Sequence, residues 1–230
     1  MKIQSKILTD FLKTVRMGEL EIVGLNFKEE GLLFHMDSLA NTHQIYGILN
    51  KEHFEEYKPI GLIGVDDLSK LISVLNSMGK ELEFEVQGNL FMAKSKTKEL
   101  SLELVSEKYI PTSRDPPMLD FETSFKLPAE KLVEILNDVG KNKNASIVIQ
   151  TNKDSVKIST KGKYAFTYHV NEEGVKEGTR VVLGGPFVEA MSGVKDGELT
   201  LHVSTDRPIK VVQQTEHAKN NYLVAPRVED

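Results

Sequence analysis

Positively charged side chains recur at helical spacing in this sequence, and they could contact phosphate groups. Apolar spacing predicts the first helix from about Ser5 to Met17, and Lys6, Lys13 and Arg16 fall opposite its apolar stripe. A sparse set of such cations makes weak, exchangeable phosphate contacts, whereas many simultaneous contacts bind tightly and release many counterions. The candidate phosphate contacts along the chain are Lys6, Lys13, Arg16, Lys70, Lys80, Lys141 and Lys143.

The alternative interpretation of these cations is that they are solvated surface, which is the usual role of lysines on an exposed helix face. The third helical segment favours this alternative, because Glu130, Glu134 and Asp138 accompany Lys131. From the residues alone, both interpretations stay open.

Residue patterns for catalysis or for a metal site are not found in the sequence. No two of the six histidines have metal-ligand spacing on one helix, and neither an HExxH motif nor a Gly-x-Ser-x-Gly motif occurs. Gly184-Gly185-Pro186 lacks the Gly-Lys-Ser/Thr ending of a phosphate-binding loop. Asp66 and Asp67 are better explained as a helix cap than as metal ligands. We therefore predict no enzymatic activity, no cofactor and no metal.

The composition limits the class of protein and the way in which it could meet nucleic acid. The chain has 230 residues, no cysteine and a formal net charge of −5. The lack of cysteine excludes disulfides and zinc–thiolate sites and favours an intracellular setting. No signal-peptide pattern occurs at Met1–Lys6. Because nucleic-acid-binding surfaces are basic, any such contact must be confined to one face.

The elements that would position these residues occur in the same order twice. Amphipathic helices are predicted near Leu8 and Leu68 and again near Leu132 and Val188, with alternating strand patterns between them. Strict alternation is typical of antiparallel sheets with one packed face. The sequence therefore predicts an α+β fold made of two similar halves.

The boundaries of the halves follow from a stretch that breaks both periods. Residues 106–124 contain Pro111, Pro116 and Pro117 and are predicted to form an extended linker. This gives an N-terminal domain of residues 1–105 and a C-terminal domain of residues 125–230. The segment Ala218–Asn221 is predicted to be a turn.

Five short segments, in order along nearly the whole chain, resemble one protein family. They are Gly31–Ser38, Phe54–Tyr57, Ser69–Leu71, Lys126–Pro128 and Tyr222–Arg227. With the duplicated order of elements, they resemble the DNA sliding clamps of the proliferating cell nuclear antigen type and the related clamps of tailed phages. The resemblance implies two clamp domains, each with antiparallel sheets and two helices on the inner face, which assemble into a ring.

The sequence also departs from the family pattern. The stretch from Leu104 to Lys126 is shorter than in eukaryotic clamps, so the edge strand that usually makes the subunit contact could be altered. Glu189 stands where the fourth helix often carries a lysine. These differences fit a viral, phage or archaeal member better than a eukaryotic nuclear one.

The resemblance implies a function and a set of partners. It implies a homotrimeric processivity factor that encircles duplex DNA independently of sequence, with a DNA polymerase, a clamp loader and other replication or repair proteins as partners. The family docks partner peptides against the linker and the C-terminal segment. The matching positions are Met36, Leu39, Met118, Leu119, Pro208, Tyr222, Ala225 and Pro226.

Two alternatives remain at this stage. The chain could be a recruitment scaffold or one subunit of a hetero-oligomeric checkpoint-type ring, and Met36 and Tyr222 could be core residues instead of peptide contacts. The expected location is the cytoplasm of a prokaryotic host, or the nucleus if the source is eukaryotic or a nuclear virus.

Overall fold

The computed structural model describes residues 1–18, 20–140 and 145–228. Two compact units make up the chain. The first comprises Met1–Leu39, Ile45–Arg114 and His217–Asn220. The second comprises Ala40–Gln44, Asp115–Glu216 and Asn221–Asp230. The principal division, between Arg114 and Asp115, falls inside the segment predicted to be a linker.

Each unit is built from two consecutive repeats with the order strand, helix and three strands. The first repeat consists of β1 (Lys2–Gln4), α1 (Ser5–Thr14), β2 (Ile22–Lys28), β3 (Gly31–Asp37) and β4 (His43–Asn50). A 3-10 helix (Lys51–His53) and the short strand β5 (Phe54–Glu56) follow. The second repeat consists of β6 (Gly61–Asp66), α2 (Leu68–Met78), β7 (Glu81–Gln87), β8 (Leu90–Lys94) and β9 (Glu99–Glu103).

The second unit has the same plan, after a 3-10 helix at Glu107–Tyr109. The third repeat consists of β10 (Thr123–Pro128), α3 (Ala129–Gly140), β11 (Ser146–Asn152), β12 (Ser155–Lys161) and β13 (Thr167–Asn171). The fourth consists of β14 (Arg180–Leu183), α4 (Gly185–Ala190), β15 (Glu198–Val203), β16 (Ile209–Gln214) and β17 (Ala218–Val224). The duplication predicted from the sequence is thus itself composed of two smaller repeats.

The two repeats of each unit exchange their first strands. In the first unit β1 lies in the sheet of the second repeat, in the order β5-β1-β7-β8-β9, while β6 joins the order β4-β3-β2-β6. In the second unit β10 joins β15-β16-β17, and β14 joins β11-β12-β13. The register places Ile3 opposite Leu82 and Phe125 opposite Leu201, in antiparallel pairs. All four residues are buried, so the exchanged strands contribute to the cores.

The sequence periods explain why these elements form. Leu8, Phe11 and Leu12 lie on one side of α1 and are buried, which removes apolar surface from water and anchors the helix. In β7, buried Leu82 and Phe84 alternate with exposed glutamates, as one packed sheet face requires. The prediction of antiparallel sheets with amphipathic helices is confirmed.

One predicted local signal, the helix cap, is also confirmed. Asp67 precedes α2 and its carboxylate Oδ1 accepts a hydrogen bond from the Lys70 N–H at 2.9 Å, which caps the helix. Gly31 begins β3 with a φ of +146°, a conformation that favours glycine.

Two predicted boundaries were wrong. The segment Ala218–Asn221 is not a turn, because it forms the first half of β17. Burial alternates along it, and buried Asn220 donates a hydrogen bond from Nδ2 to Thr14 Oγ1 at 3.0 Å, so its polar side chain is accommodated inside. Helix α1 ends at Thr14 and not at Met17, because the backbone leaves the helical conformation at Val15.

Candidate nucleic-acid interface

The first unit presents α1 and α2 as an antiparallel pair. Ser5 Oγ donates to the Leu75 carbonyl at 3.0 Å, and Thr9 Oγ1 donates to Asn76 Oδ1 at 2.8 Å. At the other end of α1, Arg16 lies beside the start of α2. Ser5, Thr9 and Leu75 are buried where the helices meet, while Arg16, Ser69 and Asn76 are exposed beside this contact.

The structure brings five of the predicted phosphate contacts to this helix pair. Arg16 Nη1 donates to Ser69 Oγ at 3.4 Å, which places Arg16 next to Lys70. The Ser5 N–H donates to the Lys80 carbonyl at 2.8 Å, which places Lys80 at the start of α1. Lys6, Arg16, Lys70 and Lys80 are exposed and Lys13 is half-buried. We call the five residues Lys6, Lys13, Arg16, Lys70 and Lys80 the helix-pair cations.

The Asp10 carboxylate partly neutralises the positive charge of this surface. Asp10 lies between two of the helix-pair cations, with Oδ2 2.6 Å from Lys6 Nζ and Oδ1 2.8 Å from Lys13 Nζ. Partial burial alone would raise the pKa of Asp10, but the hydrogen bonds from Lys13 and Lys6 outweigh it and lower that pKa. Asp10 is therefore ionised at neutral pH and competes with phosphate for these two ammonium groups.

In the second unit, α3 offers less positive charge. Lys131 Nζ lies 2.7 Å from Glu134 Oε2 and 4.5 Å from the centre of the Tyr168 ring. The Tyr168 hydroxyl donates to the buried Asp138 carboxylate; burial, then this hydrogen bond, raises the pKa of Tyr168. Lys131 is thus engaged within its own unit. Lys141 and Lys143, both predicted phosphate contacts, lie outside the described residues.

The residues predicted to bind a partner peptide fall into two groups. Met36 and Tyr222 are core residues, at 1% and 0% exposure, and the Tyr222 hydroxyl donates to buried Gln213 Oε1 at 2.9 Å. The others reach the surface. Leu39 (68% exposed), Met118 (100%) and Leu119 (36%) are exposed, while Pro208, Ala225 and Pro226 are half-buried. Because Met36 and Tyr222 are buried in this conformation, they could only pack under a peptide-binding surface and could not contact the peptide.

Sequence reasoning missed how the segment after β9 is seated on the first unit. Gly24 and Gly64 are directly opposite each other in β2 and β6. A Cβ on Gly24 would lie 2.9 Å from Ile110 Cγ2, and one on Gly64 would lie 3.0 Å from Ile110 Cγ1. The two glycines thus form a slot that receives Ile110. Glycine inside a strand is a sequence signal for such close approach, but it does not name the partner.

Two more contacts fix the same segment to β3. Ser113 Oγ donates to the His35 carbonyl at 2.5 Å. The Arg114 N–H and Nε both donate to Asp37 Oδ2, at 3.1 and 2.9 Å. We call residues 105–114, with these contacts and the Ile110 slot, the strap. The strap is attached to the first unit along its length.

The segment that enters the second unit is held by Glu122. The Thr205 N–H donates to Glu122 Oε1 at 3.1 Å, and Lys176 Nζ and Thr179 Oγ1 each lie 3.3 Å from Oε2. The hydrogen bond from the Thr205 backbone is the largest cause that lowers the pKa of Glu122. Burial opposes this effect, and Lys176 lowers the pKa further. Glu122 is therefore a charged anchor at the start of β10.

Across residues 1–18, 20–140 and 145–228, no group of three histidine, aspartate or glutamate side chains could hold a metal ion. None of the helices in these ranges is long and apolar enough to cross a membrane.

Comparison with known proteins places this fold among clamps. No family model and no curated protein matches the chain. The proliferating cell nuclear antigen (PCNA) of A. fulgidus, solved with the C-terminal region of FEN-1 bound, is 20% identical with a TM-score of 0.87, covering 100% of this chain and 98% of that chain. The PCNA of Entamoeba histolytica is 15% identical with a TM-score of 0.85, covering 99% and 98%.

A third similar structure is the PCNA2–PCNA3 complex from Sulfolobus tokodaii, at 17% identity and a TM-score of 0.81, covering 100% of both chains. At sequence identities this low, the structural similarity establishes the architecture alone. The chain has the fold of the PCNA-type sliding clamps.

Proposed function

We propose that this protein is a DNA sliding clamp, a ring that encircles duplex DNA inside the cell and tethers a polymerase and other replication proteins to it. The observation that carries the proposal is the cationic surface of the α1–α2 pair in a chain whose net charge is −5. Cations gathered on one exposed face of a chain with net negative charge fit a protein that holds phosphates weakly at that face.

Ring closure needs two complementary surfaces on each copy. An edge strand of the first unit supplies one of them, and an edge strand of the second unit supplies the other. In the first unit, β9 is an edge strand. The Leu104 N–H bonds the Asn89 carbonyl at 2.7 Å, which fixes the alternation of inward and outward backbone groups along the strand. The residues whose N–H and C=O groups point away from β8 are Glu99, Ser101 and Glu103.

In the second unit, β13 is the corresponding edge strand. The Thr160 N–H bonds the Phe166 carbonyl at 2.9 Å, so Thr167, His169 and Asn171 direct their backbone groups away from β12. An edge with outward hydrogen-bonding groups is a template for another strand. Pairing of β9 of one copy with β13 of the next is a head-to-tail contact, which generates a ring if the rotation closes.

Partner docking is proposed for the exposed apolar residues Leu39, Met118 and Leu119. Apolar side chains at the surface of an irregular segment are suited to packing against a peptide. The A. fulgidus PCNA structure with the C-terminal region of FEN-1 shows that a clamp of this fold binds a partner segment.

The second candidate function is a subunit of a hetero-oligomeric ring. The observation that favours it is the likeness to the PCNA2–PCNA3 complex, in which two different clamp subunits associate. Sedimentation equilibrium of the purified chain separates the two functions. A homotrimeric clamp has three times the 25.8 kDa mass of one chain, whereas a subunit that needs other partners sediments as a single chain.

The encirclement itself is tested with linear duplex DNA whose ends are open or blocked. A ring that has threaded onto the DNA is retained only when both DNA ends are blocked. A protein that binds the outside of the duplex is retained equally on the open and the blocked DNA. Replacing Lys13, Arg16 and Lys70 by alanine should reduce retention and polymerase stimulation while the native mass stays unchanged. The matched control replaces the exposed residues Lys28, Lys51 and Lys58, which lie on neither helix. Equal behaviour of the two triple variants would show that the helix pair is not the DNA-facing surface.

A further inference from the structure

The loop that joins the last two strands of a repeat differs in charge among the four repeats. In the second repeat, between β8 and β9, the sequence Lys94-Ser95-Lys96-Thr97-Lys98 places three lysines within five residues. We call residues 94–98 the basic tip. The equivalent loops of the first and fourth repeats, residues 38–42 and 215–217, contain no lysine or arginine, and that of the third, residues 162–166, contains Lys163 close to Lys161 at the end of β12.

The basic tip is held against the C-terminal end of α2. Lys98 Nζ donates to the Ser77 carbonyl at 2.6 Å, so it binds a free carbonyl at the negative end of the helix dipole. The Ser95 N–H donates to the Lys98 carbonyl at 2.9 Å, which closes the loop. A Cβ on Gly79, the residue after α2, would lie 4.0 Å from Ser95 Cβ. The tip is therefore a fixed part of the α2 surface.

The tip also continues the positive surface of the helix pair. Lys80 follows α2 directly, and its carbonyl accepts the Ser5 N–H next to Lys6. Among the described residues, Lys80 and Lys96 have no ion-pair partner for their ammonium groups, and both are exposed. Lys94 Nζ lies 3.2 Å from Glu83 Oε2, but both side chains are more than half exposed, so this pair is weak and can open.

We propose that the basic tip is a further contact surface for the phosphates of duplex DNA, at one end of the α1–α2 pair. The inference rests on the proposed clamp function, and it adds Lys94 and Lys96 to the helix-pair cations. Lysine is suited to the task because its compact charge on a flexible stem contacts phosphate without a fixed geometry. Such contacts are independent of sequence, as a sliding protein requires. Continuity with the helix-pair cations in the same unit is what favours DNA over an acidic protein.

The test is a double substitution, Lys94→Gln with Lys96→Gln. Lys98 is retained because it caps α2. Binding of a short duplex of random sequence is measured by fluorescence anisotropy at a series of salt concentrations. The plot of log Kobs against log salt concentration should become shallower by about 1 for each lysine that contacts a phosphate. The loss of affinity at low salt should be the same for duplexes of different sequence.

The matched control is Lys51→Gln with Lys58→Gln, which changes the net charge equally away from the tip. Circular dichroism and native mass verify that both variants keep the fold and the assembly. If the tip variant and the control have the same salt dependence as the wild type, the basic tip does not contact DNA. A wild-type protein that binds no duplex would instead overturn the proposed function before any variant is compared.

Discussion

At the residue scale, Asp67 determines where α2 begins. Its carboxylate accepts the Lys70 N–H, and its backbone has a φ of +49°, in the left-handed region. Aspartate and asparagine tolerate this conformation better than other side chains because they are short and polar. The sequence signal for the cap was therefore readable, whereas the unusual backbone conformation was not.

We expect Asp67→Ala to lower the free energy of unfolding by about 2 kcal/mol. The lost cap costs about 1 kcal/mol and the left-handed backbone of an alanine costs about 1 kcal/mol more. Asp67→Asn keeps an acceptor and tolerates the backbone, so it should cost less than half as much. Urea unfolding at an unchanged m-value is the measurement, and equal losses in the two variants would contradict this account.

The burial of Tyr222 leads to a second prediction at this scale. Tyr222→Phe removes the hydroxyl that donates to buried Gln213 Oε1, so we expect a loss of about 1 kcal/mol or more in the free energy of unfolding. The control is Tyr109→Phe, since Tyr109 is 60% exposed and its hydroxyl should matter little. Chemical denaturation of both variants gives the comparison, and an unchanged stability of Tyr222→Phe would place the hydroxyl outside the core network.

At the scale of elements, the strap depends on the fit of one side chain into the glycine slot. Gly24→Ala should lower the free energy of unfolding by about 1–3 kcal/mol, because the new methyl group would lie 2.9 Å from Ile110 Cγ2 and 3.0 Å from Leu62 Cδ1. Ile110→Ala removes Cγ2, so the double variant should be more stable than the sum of the single effects predicts, by about 1 kcal/mol. A double-mutant cycle in urea measures this coupling, and strictly additive losses would mean that Ile110 does not occupy the slot.

The elements also show what the sequence could and could not predict. Helices α1, α2 and α3 follow from apolar residues at helical spacing, a local property. The antiparallel pairing of α1 with α2 depends on contacts such as Thr9 with Asn76, which are far apart in the sequence. The polar Lys-Asn-Asn sequence at the start of β17 predicts a turn, and the interior partner of Asn220 explains why the segment is instead a strand with Asn220 buried. The helix-pair cations were therefore predictable as residues but not as one surface.

At the scale of the whole molecule, the two edge strands predict how the proposed ring could be broken without unfolding the chain. Ser101→Pro removes an N–H that points away from β8, so no hydrogen bond among the described residues is lost. We expect the native mass to fall towards that of a single chain while the circular dichroism spectrum is kept. Sedimentation equilibrium of the variant is the measurement.

The neighbouring substitution provides the control for the edge. Leu102→Pro removes an N–H directed towards β8, so it should destabilise the β8–β9 hairpin itself. An oligomer of Ser101→Pro with unchanged mass would exclude β9 as a pairing edge.

The exchange of first strands within each unit bears on how the chain can be divided. Since β1 lies in the sheet of the second repeat and β6 joins the strands of the first, each repeat completes the other. A break in the backbone between Lys58 and Pro59 would leave two fragments that each contribute a strand to a sheet of the other. Each fragment alone would therefore lack a strand that only the other supplies. The half-domain is thus not an autonomous module, and complementation of the two fragments, not independent folding, is the behaviour that this interlocked architecture dictates.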